Sequence, residues 1–399
     1  MEEWNTYKLG EVCSRLRSGK GISSSLVAPS GEYPVIGGNG VRGYAVQSNF
    51  DGECGVIGRQ GAYCGNVRYF NGSAYMTEHA IVVVGNEKAD TYFLTALLST
   101  MNLGHLSAQS AQPGLSVQTL SKQEITLPSL ATQRRVSAIL KSLDNKIELN
   151  NRINHNLEEQ AQALYRSWFV DFEPFKDEKF VESELGLIPK SISLKKIVDI
   201  SHTLETGRRP KGGVGDLQFG IPSIGAESIK GIGFFDDSKV KYISEDFATT
   251  LKKGWINGYE LLIYKDGGTP GYFIPNYNIF GEGFPYERMC LNEHVFKLDF
   301  GDKGYNAFAY FFFHTDYVFN FLNSQGGKAA IPGINQKDVE SLWIPTPDNE
   351  KVQEYGKIVL PFITQILKNS KTNMQLAMTR DSLLPKLMSG ELNVNEIDC

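Results

Sequence analysis

The chain has 399 residues, of which 41% are hydrophobic and 21% are charged, and its formal net charge is −5. This length and composition predict a folded protein of two or three domains. The first residues lack the basic and apolar regions of a secretory leader, and the most apolar stretch, residues 308–322, is too short to span a bilayer, so we expect a cytoplasmic protein. The five cysteines are scattered and never spaced CxxC, which favours reduced thiols and argues against a bound metal.

The charge balance argues against a simple nucleic-acid binder. Residues 1–128 carry 9 Lys and Arg against 10 Asp and Glu, and residues 190–345 carry 17 against 18. A basic surface would therefore have to arise when folding sorts the charges onto different faces, or it would have to come from a partner protein.

Glycine-rich turns and short β-like runs dominate residues 1–128. The sequence at 38–43 spells GxGxxG, but no helical pattern follows it, so we interpret it as a turn that carries Arg42. Ser18-Gly19-Lys20-Gly21 lacks the spacing of a Walker A motif and is either an ordinary surface turn or a loop that contacts phosphates or bases.

A second turn of this region, residues 58–65, follows an apolar run and carries two side chains of the type that reads bases. Arg59 suits the guanine edge and Gln60 the adenine edge in the major groove. A plain β-turn with solvated side chains would have the same sequence, so both interpretations stay open here.

A long helical pattern follows at residues 131–171, and a charged segment between Asp171 and Pro189 then acts as a linker. The helix carries an apolar stripe with heptad spacing, and Asn150 and Asn154 occupy two positions of that stripe. Heptad spacing is typical of coiled coils, in which a buried asparagine fixes the register.

The second half of the chain repeats the first. Pro34-Val35-Ile36-Gly37 returns as Pro222-Ser223-Ile224-Gly225, and Pro113-Gly114-Leu115 returns as Pro332-Gly333-Ile334. The offset grows from 188 to 219 residues, so the second copy holds about 30 extra residues in its middle. A period of this length indicates a duplicated domain, not a solenoid of short repeats.

The loops of the second copy carry their own cationic side chains. Arg208 and Arg209 correspond to the loop around Lys20, Lys230 lies in the counterpart of the loop that carries Arg42, and Lys265-Asp266 corresponds to Arg59-Gln60. The differences between the two sets of loops predict that the two domains have different binding preferences.

A second helical pattern, residues 350–389, matches the first, with Asn369 and Asn373 at the positions of the earlier asparagines. We expect the two helices to pack antiparallel with the four asparagines close together, and we expect Met1 to lie near the segment around Gly390. The alternative is that each helix packs on its own domain and leaves its asparagines solvated. Pro361 and Pro385 predict a kink or a late start of the second helix.

The repeated pair Glu78-His79 and Glu293-His294 is the best case for an enzyme, because a carboxylate and an imidazole could perform acid–base chemistry. Adjacent residues of a strand point to opposite faces, however, so we expect these pairs to be structural.

The chain resembles the specificity subunits of type I restriction–modification systems over essentially its whole length. The most specific segments are Lys8-Leu9-Gly10-Glu11-Val12, Gln133-Arg134-Arg135-Val136, residues 147–154, residues 163–172 and residues 383–392. The resemblance implies an α+β protein with two duplicated, glycine-rich target-recognition domains joined by two long antiparallel coiled-coil helices. The implied boundaries are 1–128 for the first recognition domain, 129–172 for the central helix, 173–189 for the linker, 190–347 for the second recognition domain, and 348–399 for the C-terminal helix and tail.

The resemblance also implies a division of labour. Each domain would read one half of a bipartite site in double-stranded DNA, and the helices would set the spacer and dock two modification (methyltransferase) subunits. Restriction (motor-nuclease) subunits would complete an adenine-N6 methyltransferase and endonuclease complex. S-adenosylmethionine, ATP and Mg would be bound by these partners, with no cofactor, metal or catalytic residue on this chain. The candidate DNA-contacting residues are Lys20, Arg42, Arg59, Gln60, Arg208, Arg209, Lys230 and Lys265.

Two other classes of protein stay open at this point. A two-domain hydrolase would use the repeated Glu-His pairs in a pocket and would turn over substrate as an isolated chain. A structural assembly protein would use its long helices to bring other chains together and would bind DNA weakly even with its partners.

Overall fold

The computed structural model describes residues 4–107, 114–215, 217–327, 332–392 and 394 of the chain. Met1 and Pro113, which figured in the expectations above, lie outside these residues. The chain forms two compact units: residues 1–146 with residues 376–399, and residues 147–375. We call them the first and the second unit.

The first unit is built on a six-stranded sheet with the order β2-β7-β5-β6-β3-β4, and β1 pairs separately with β8. Its strands are β1 Asn5–Lys8, β2 Cys13–Ser18, β3 Tyr33–Gly37, β4 Gly40–Ala45, β5 Phe50–Gly58, β6 Val67–Met76, β7 Ala80–Gly85 and β8 Glu124–Leu127. Its short helices are α1 Thr91–Thr100 and α2 Val117–Ser121, and the long helix α3 Leu130–Phe169 begins in this unit.

The second unit has a four-stranded sheet, β12-β20-β15-β18, a three-stranded sheet, β14-β13-β19, and three two-stranded pairs, β9 with β10, β11 with β21, and β16 with β17. Its strands are β9 Phe180–Ser183, β10 Gly186–Pro189, β11 Leu194–Lys196, β12 Thr203–Thr206, β13 Ile221–Ile224, β14 Lys241–Ile243, β15 Leu261–Tyr264, β16 Gly268–Thr269, β17 Tyr272–Phe273, β18 Asn276–Asn278, β19 Cys290–Leu291, β20 Val295–Asp299 and β21 Trp343–Pro345. Its helices after α3 are α4 Glu245–Thr249, α5 Lys303–Phe313, α6 Asp316–Gly326, α7 Gln336–Glu340 and the greater part of α8 Glu350–Met388.

The duplication is visible in the strand pairing. Within the first unit β3 runs parallel to β6, with Ile36 opposite Met76, and within the second unit β13 runs parallel to β19, with Ile224 opposite Leu291. The residue after each of these partners donates its backbone N–H back to the first strand, over 2.9 Å in both units. The repeated sequence motifs therefore occupy the same place in two copies of one fold.

The two long helices pack antiparallel within each unit. In the second unit the Tyr355 hydroxyl donates to the carbonyl oxygen of Ala161, and in the first unit Arg380 Nη1 donates to Asp144 Oδ1 over 2.8 Å. Residues early in α3 thus meet residues late in α8, and the reverse. The predicted fold class is confirmed. Of the two effects expected from Pro361 and Pro385, a late start does not occur, because α8 begins at Glu350 and continues through both prolines, and a kink stays a prediction.

The two ends of the described chain are neighbours inside the first unit. A side chain at Gly390, whose φ is +76°, would meet the Trp4 indole at 2.9 Å. Leu387, Met388 and Val394 are buried in the core formed by Leu9, Val12, Ile57, Phe93 and other residues of the N-terminal part of the chain.

In the described part of the chain no helix is long and apolar enough to cross a membrane.

A buried ionic cluster lies inside the four-stranded sheet of the second unit. Lys297, whose side chain is 7% exposed, donates to the Trp255 carbonyl oxygen over 2.7 Å and lies 2.8 Å from Glu205 Oε1 and 3.8 Å from Glu260 Oε1. Two backbone N–H groups, of Asn257 and Gly258, also donate to Glu260. Among the described residues, Lys297 is the only cation that forms an ion pair with either of these two carboxylates.

We expect Lys297→Met to destabilise the second unit by about 3–5 kcal/mol, because removing one partner leaves buried charges uncompensated. Urea unfolding followed by tryptophan fluorescence measures this, since Trp168, Trp255 and Trp343 belong to the second unit. Lys176→Met is the matched control, because the Lys176–Glu173 pair is exposed and should contribute about 1 kcal/mol or less. Equal shifts for the two variants would contradict a stabilising role of the buried cluster.

Candidate functional site

The repeated motifs of the first unit converge on the turn formed by Glu78 and His79. Lys20 N–H donates to the Met76 carbonyl oxygen over 3.0 Å, and Arg59 N–H donates to the His79 carbonyl oxygen over 3.0 Å. Leu115 N–H in turn donates to the Arg59 carbonyl oxygen over 2.8 Å. Segments that lie far apart in the sequence are therefore held together by backbone hydrogen bonds.

The second unit has the same arrangement around Glu293 and His294. Lys265 N–H donates to the His294 carbonyl oxygen over 3.0 Å, and Ile334 N–H donates to the Lys265 carbonyl oxygen over 2.8 Å. Lys265 thus corresponds to Arg59, and Asp266 corresponds to Gln60. We call this arrangement of the Glu-His turn and the loops bonded to it the turn site of each unit.

A glycine brings the cationic loop against the turn in both units. A Cβ at Gly19 would lie 2.1 Å from the Met76 carbonyl oxygen, and a Cβ at Gly207 would lie 1.6 Å from the Leu291 carbonyl oxygen. Backbone atoms cannot yield at such distances, so no other residue fits without displacing the loop. The next residues, Lys20 and Arg208, are consequently anchored beside the turn.

The turn site of the second unit contains a continuous polar network. Arg209 Nε donates to Glu293 Oε1 and Oε2 over 2.8 and 2.7 Å, and Arg209 Nη2 lies 2.7 Å from His294 Nε2. His294 Nδ1 lies 2.7 Å from Asp266 Oδ2. The guanidinium group of Arg209 lowers the pKa of Glu293, and the hydrogen bonds that Arg209 donates to Glu293 raise the pKa of Arg209.

The turn site of the first unit lacks this arginine. Gly21 stands where Arg209 stands in the second unit, and a Cβ at Gly21 would lie 3.8 Å from Glu78 Oε2. That oxygen is buried without a hydrogen-bond partner among the described residues, while Glu78 Oε1 lies 3.2 Å from His79 Nε2. The two copies therefore share the Glu-His pair and differ in what surrounds it.

The expectation that adjacent Glu and His side chains diverge was wrong. It treated both pairs as parts of a strand, but each pair forms a tight turn between two strands. In a turn the alternation of side chains does not apply, so the carboxylate and the imidazole meet in both units, with Glu293 Oε1 3.2 Å from His294 Nε2.

Six of the eight candidate DNA-contacting residues belong to the two turn sites: Lys20, Arg59 and Gln60 in the first unit, and Arg208, Arg209 and Lys265 in the second. Lys20, Gln60 and Arg208 are exposed, whereas the other three are half-buried. Arg208 donates to Thr250 Oγ1 over 2.7 Å.

The two remaining candidates lie elsewhere in the fold. Arg42 is exposed on the edge strand β4 and packs over Gly37, next to Gly38, which lies against the turn of the first unit. Lys230 is exposed and lines a cavity of the second unit with Glu158 of α3 and Tyr310 of α5. Contact of any of these residues with DNA stays a prediction.

The four asparagines of the helical stripes lie together within the second unit, as their positions predicted. Asn150 Nδ2 donates to Asn373 Oδ1 and Asn369 Nδ2 donates to Asn154 Oδ1, each over 2.8 Å. Asn373 Nδ2 also donates to Asn151 Oδ1 over 2.8 Å. Asn150 is 2% exposed. That these pairs fix the register of the helices stays a prediction.

We expect Asn150→Ala to destabilise the packing of α3 against α8 by about 1–3 kcal/mol, because it removes a buried hydrogen bond to Asn373. Asn156→Ala is the control, since Asn156 is exposed on the same helix and the gain in helix propensity is the same for both variants. Urea unfolding compares them, and a cost for Asn150→Ala no larger than that for Asn156→Ala would show that the asparagine pair contributes nothing.

We expect Glu293→Gln to destabilise the second unit by about 1 kcal/mol or less near neutral pH, because the pair with Arg209 is partly exposed to solvent. Since the folded-state pKa of Glu293 is lowered, this contribution is complete above the unfolded pKa, 4.5, and is lost as the pH falls through the folded value. Unfolding free energies measured over a series of pH values should therefore converge for wild type and Glu293→Gln in acid.

Glu78→Gln is the matched comparison for this prediction, because Glu78 has no arginine partner among the described residues. We expect its effect on stability to be smaller than that of Glu293→Gln. A larger effect, or a Glu293→Gln difference that grows as the pH falls, would contradict the stabilising role of the Arg209–Glu293 pair.

Comparison with known proteins finds similarity to the specificity proteins of type I restriction–modification systems. Residues 1–159 match the family described as "Type I restriction modification DNA specificity domain". The chain is 28% identical over 302 residues to the type I restriction enzyme MjaIX specificity subunit of Methanocaldococcus jannaschii, a match that covers 74% of this chain and 66% of the relative. It is 41% identical over 140 residues to the type I restriction enzyme EcoprrI specificity subunit of Escherichia coli, over 34% of this chain and 35% of the relative.

A solved structure shares the fold over nearly the whole chain. The crystal structure of the S subunit of a type I restriction–modification system from M. genitalium superposes with a TM-score of 0.62 at 16% identity, covering 97% of this chain and 96% of the other. This likeness concerns the fold. The two sequence relatives are matched over less than two thirds of their own length.

Proposed function

We propose that this chain is a type I restriction–modification specificity subunit that reads a bipartite sequence in duplex DNA, with one recognition domain for each half of the site. The observation that carries the proposal is the duplicated turn site. Both copies hold the same Glu-His turn, the same loop glycine and matching backbone hydrogen bonds at Arg59 and Lys265, but they differ in the side chains at the loop tips. Two domains that read different half-sites require this combination of one backbone arrangement with different side chains at the loop tips.

The loop residues Gln60, which is exposed, and Arg59, which is half-buried, supply the chemistry of reading. Arg59 and Gln60 are adjacent at the tip of one loop, and their side chains match the acceptor and donor pattern of guanine and adenine edges in the major groove. Lys20 and Arg208 are suited to phosphate contacts, which orient a protein on DNA without reading its sequence.

The near-neutral charge of each half supports a complex rather than a lone DNA-binding chain. Phosphate contacts by lysine and arginine dominate the affinity of most proteins for duplex DNA. With 9 basic against 10 acidic residues in positions 1–128, this chain needs partner subunits that contribute further contacts to the DNA backbone.

The paired helices α3 and α8 are proposed to set the spacing between half-sites and to dock two modification subunits. The domain boundaries proposed from the sequence, with recognition domains at 1–128 and 190–347 and helices at 129–172 and 348–399, agree with this division of labour. Methyl transfer to adenine N6 then belongs to the modification subunits with S-adenosylmethionine, and DNA cleavage belongs to restriction subunits with ATP and Mg. This chain is proposed to be non-catalytic.

The arrangement of Glu293 and His294 argues against a hydrolase. Both carboxylate oxygens of Glu293 accept hydrogen bonds from Arg209, and both nitrogens of His294 are within hydrogen-bond distance of other side chains. A general acid or base needs an atom that is available to the substrate. The arrangement of Glu293 and His294 therefore favours a structural role in the loop over a role in proton transfer.

The test is methyl transfer in a reconstituted system. The chain alone, given S-adenosylmethionine and DNA, should transfer no methyl groups, and addition of the modification subunit should produce methylation at one bipartite motif, identified by methylome sequencing of a host with and without this chain. Methylation by the isolated chain would overturn the assignment, as would a motif that persists when the chain is deleted.

If each recognition domain reads its own half-site, damage from loop substitutions should be separable. We expect Arg59→Ala or Gln60→Ala to relax one half of the methylated motif, with a loss of roughly 1–3 kcal/mol of discrimination at one position, and to leave the other half intact. Lys265→Ala should do the converse. Methylome sequencing of cells that carry each variant checks this, and a single substitution that alters both halves would contradict the one-domain-one-half-site arrangement.

A further inference from the structure

The polar network of the second turn site dictates where its protons lie. An arginine guanidinium group has donors only, so His294 Nε2, 2.7 Å from Arg209 Nη2, must accept a hydrogen bond through its lone pair. A histidine whose Nε2 accepts carries its proton on Nδ1. His294 Nδ1 therefore donates to Asp266 Oδ2 over 2.7 Å.

This hydrogen bond fixes the Asp266 carboxylate at the tip of the loop that follows β15. The backbone of that loop is held from both sides, since Lys265 N–H donates to His294 and the Lys265 carbonyl oxygen accepts from Ile334. Gly333 lies against the carboxylate, and a Cβ there would be 2.9 Å from Asp266 Oδ1. The side chain of Asp266 nevertheless remains 30% exposed.

The corresponding position of the first unit has a different side chain on the same frame. Gln60 stands in place of Asp266, and Gly21 stands in place of Arg209, while the Glu-His turn is the same. The residue beside the histidine and the residue at the loop tip thus both differ between the two copies. These differences are expected if a shared backbone arrangement orients the loop-tip residue and the identity of that residue determines which base the domain reads.

We propose that Asp266 is a specificity-determining residue of the second recognition domain, which accepts a hydrogen bond from the exocyclic amino group of a base, and that His294 is the positioning residue that aims it. The inference rests on the proposed function. Arg209 then acts through His294, to whose Nε2 it donates, and Glu293 holds Arg209 in place.

A carboxylate at this place selects by rejection as well as by attraction. In the major groove cytosine N4 and adenine N6 offer donors, whereas guanine N7 and O6 and thymine O4 are acceptors that repel a carboxylate. Acceptance from cytosine N4 is the usual pairing for aspartate. One base pair of the second half-site should therefore be C·G, read through cytosine N4.

The experiment uses the reconstituted complex of this chain with its modification subunit. Methylation rates are measured on duplexes that carry the wild-type motif with each of the four base pairs at every position of the second half-site. Asp266→Asn and Asp266→Ala should each lower the discrimination for one C·G base pair of the second half-site about 10-fold or more and leave the first half-site unchanged. Unchanged preferences in both variants, or a loss of discrimination confined to A·T base pairs, would overturn the proposal.

Two substitutions of His294 test its positioning role. The side-chain amide of asparagine can place a donor where His294 Nδ1 lies, so His294→Asn should retain the preference at that position, whereas His294→Leu should relax it as Asp266→Ala does. A uniform loss of methylation on all duplexes in His294→Leu, without a change in preference, would show that His294 is merely structural and would overturn its assigned role.

The failure of this inference is distinguishable from the failure of the proposed function. If the wild-type complex methylates no bipartite motif, the proposed function fails. If it methylates one and Asp266→Asn reads the same four base pairs with the same preference, only the assignment of Asp266 fails. Gln60→Ala is the matched control, since it should alter the first half-site alone.

Discussion

Backbone contact between a glycine and the turn beside it is the constraint on which both turn sites depend. In the first unit Gly19 lets its loop approach the Met76 carbonyl oxygen, and in the second unit Gly207 lets its loop approach the Leu291 carbonyl oxygen. Both approaches are closer than any side chain permits. In each unit a main-chain hydrogen bond then joins the Glu-His turn to the loop that carries Arg59 or Lys265. Because these bonds involve no side chains, loop-tip residues can be exchanged without loss of the frame that presents them.

The two copies show this separation of frame and tip within one molecule. The first unit has Gly21 and Gln60 where the second has Arg209 and Asp266, and the second network is satisfied by hydrogen bonds that the first does not make. One consequence is a difference in electrostatics, since the second site places a carboxylate at its loop tip.

The sequence predicted the long helices and the proximity of their asparagines because heptad spacing places residues on one face of a helix whatever the surrounding fold. It also located the repeated motifs, but it misjudged Glu78-His79 and Glu293-His294, since strand alternation does not hold in a tight turn. The pairing of Arg209 with Glu293 could not be predicted, because the two residues lie on loops brought together only by the sheet. Pro361 failed to delay α8 because it follows the helix start by a few turns and packing outweighs one lost donor.

The packing of Trp4 against Gly390 means that the first unit is assembled from both ends of the chain, with the whole second unit inserted between them. During synthesis the N-terminal part of the first unit emerges early but lacks the part of its core that contains Leu387 and Met388 until those residues have been made. A truncation before Leu387 thus removes core from the unit that contains the N-terminal strands. Completion of the first unit is therefore coupled to synthesis of residues that follow the whole second unit in the sequence.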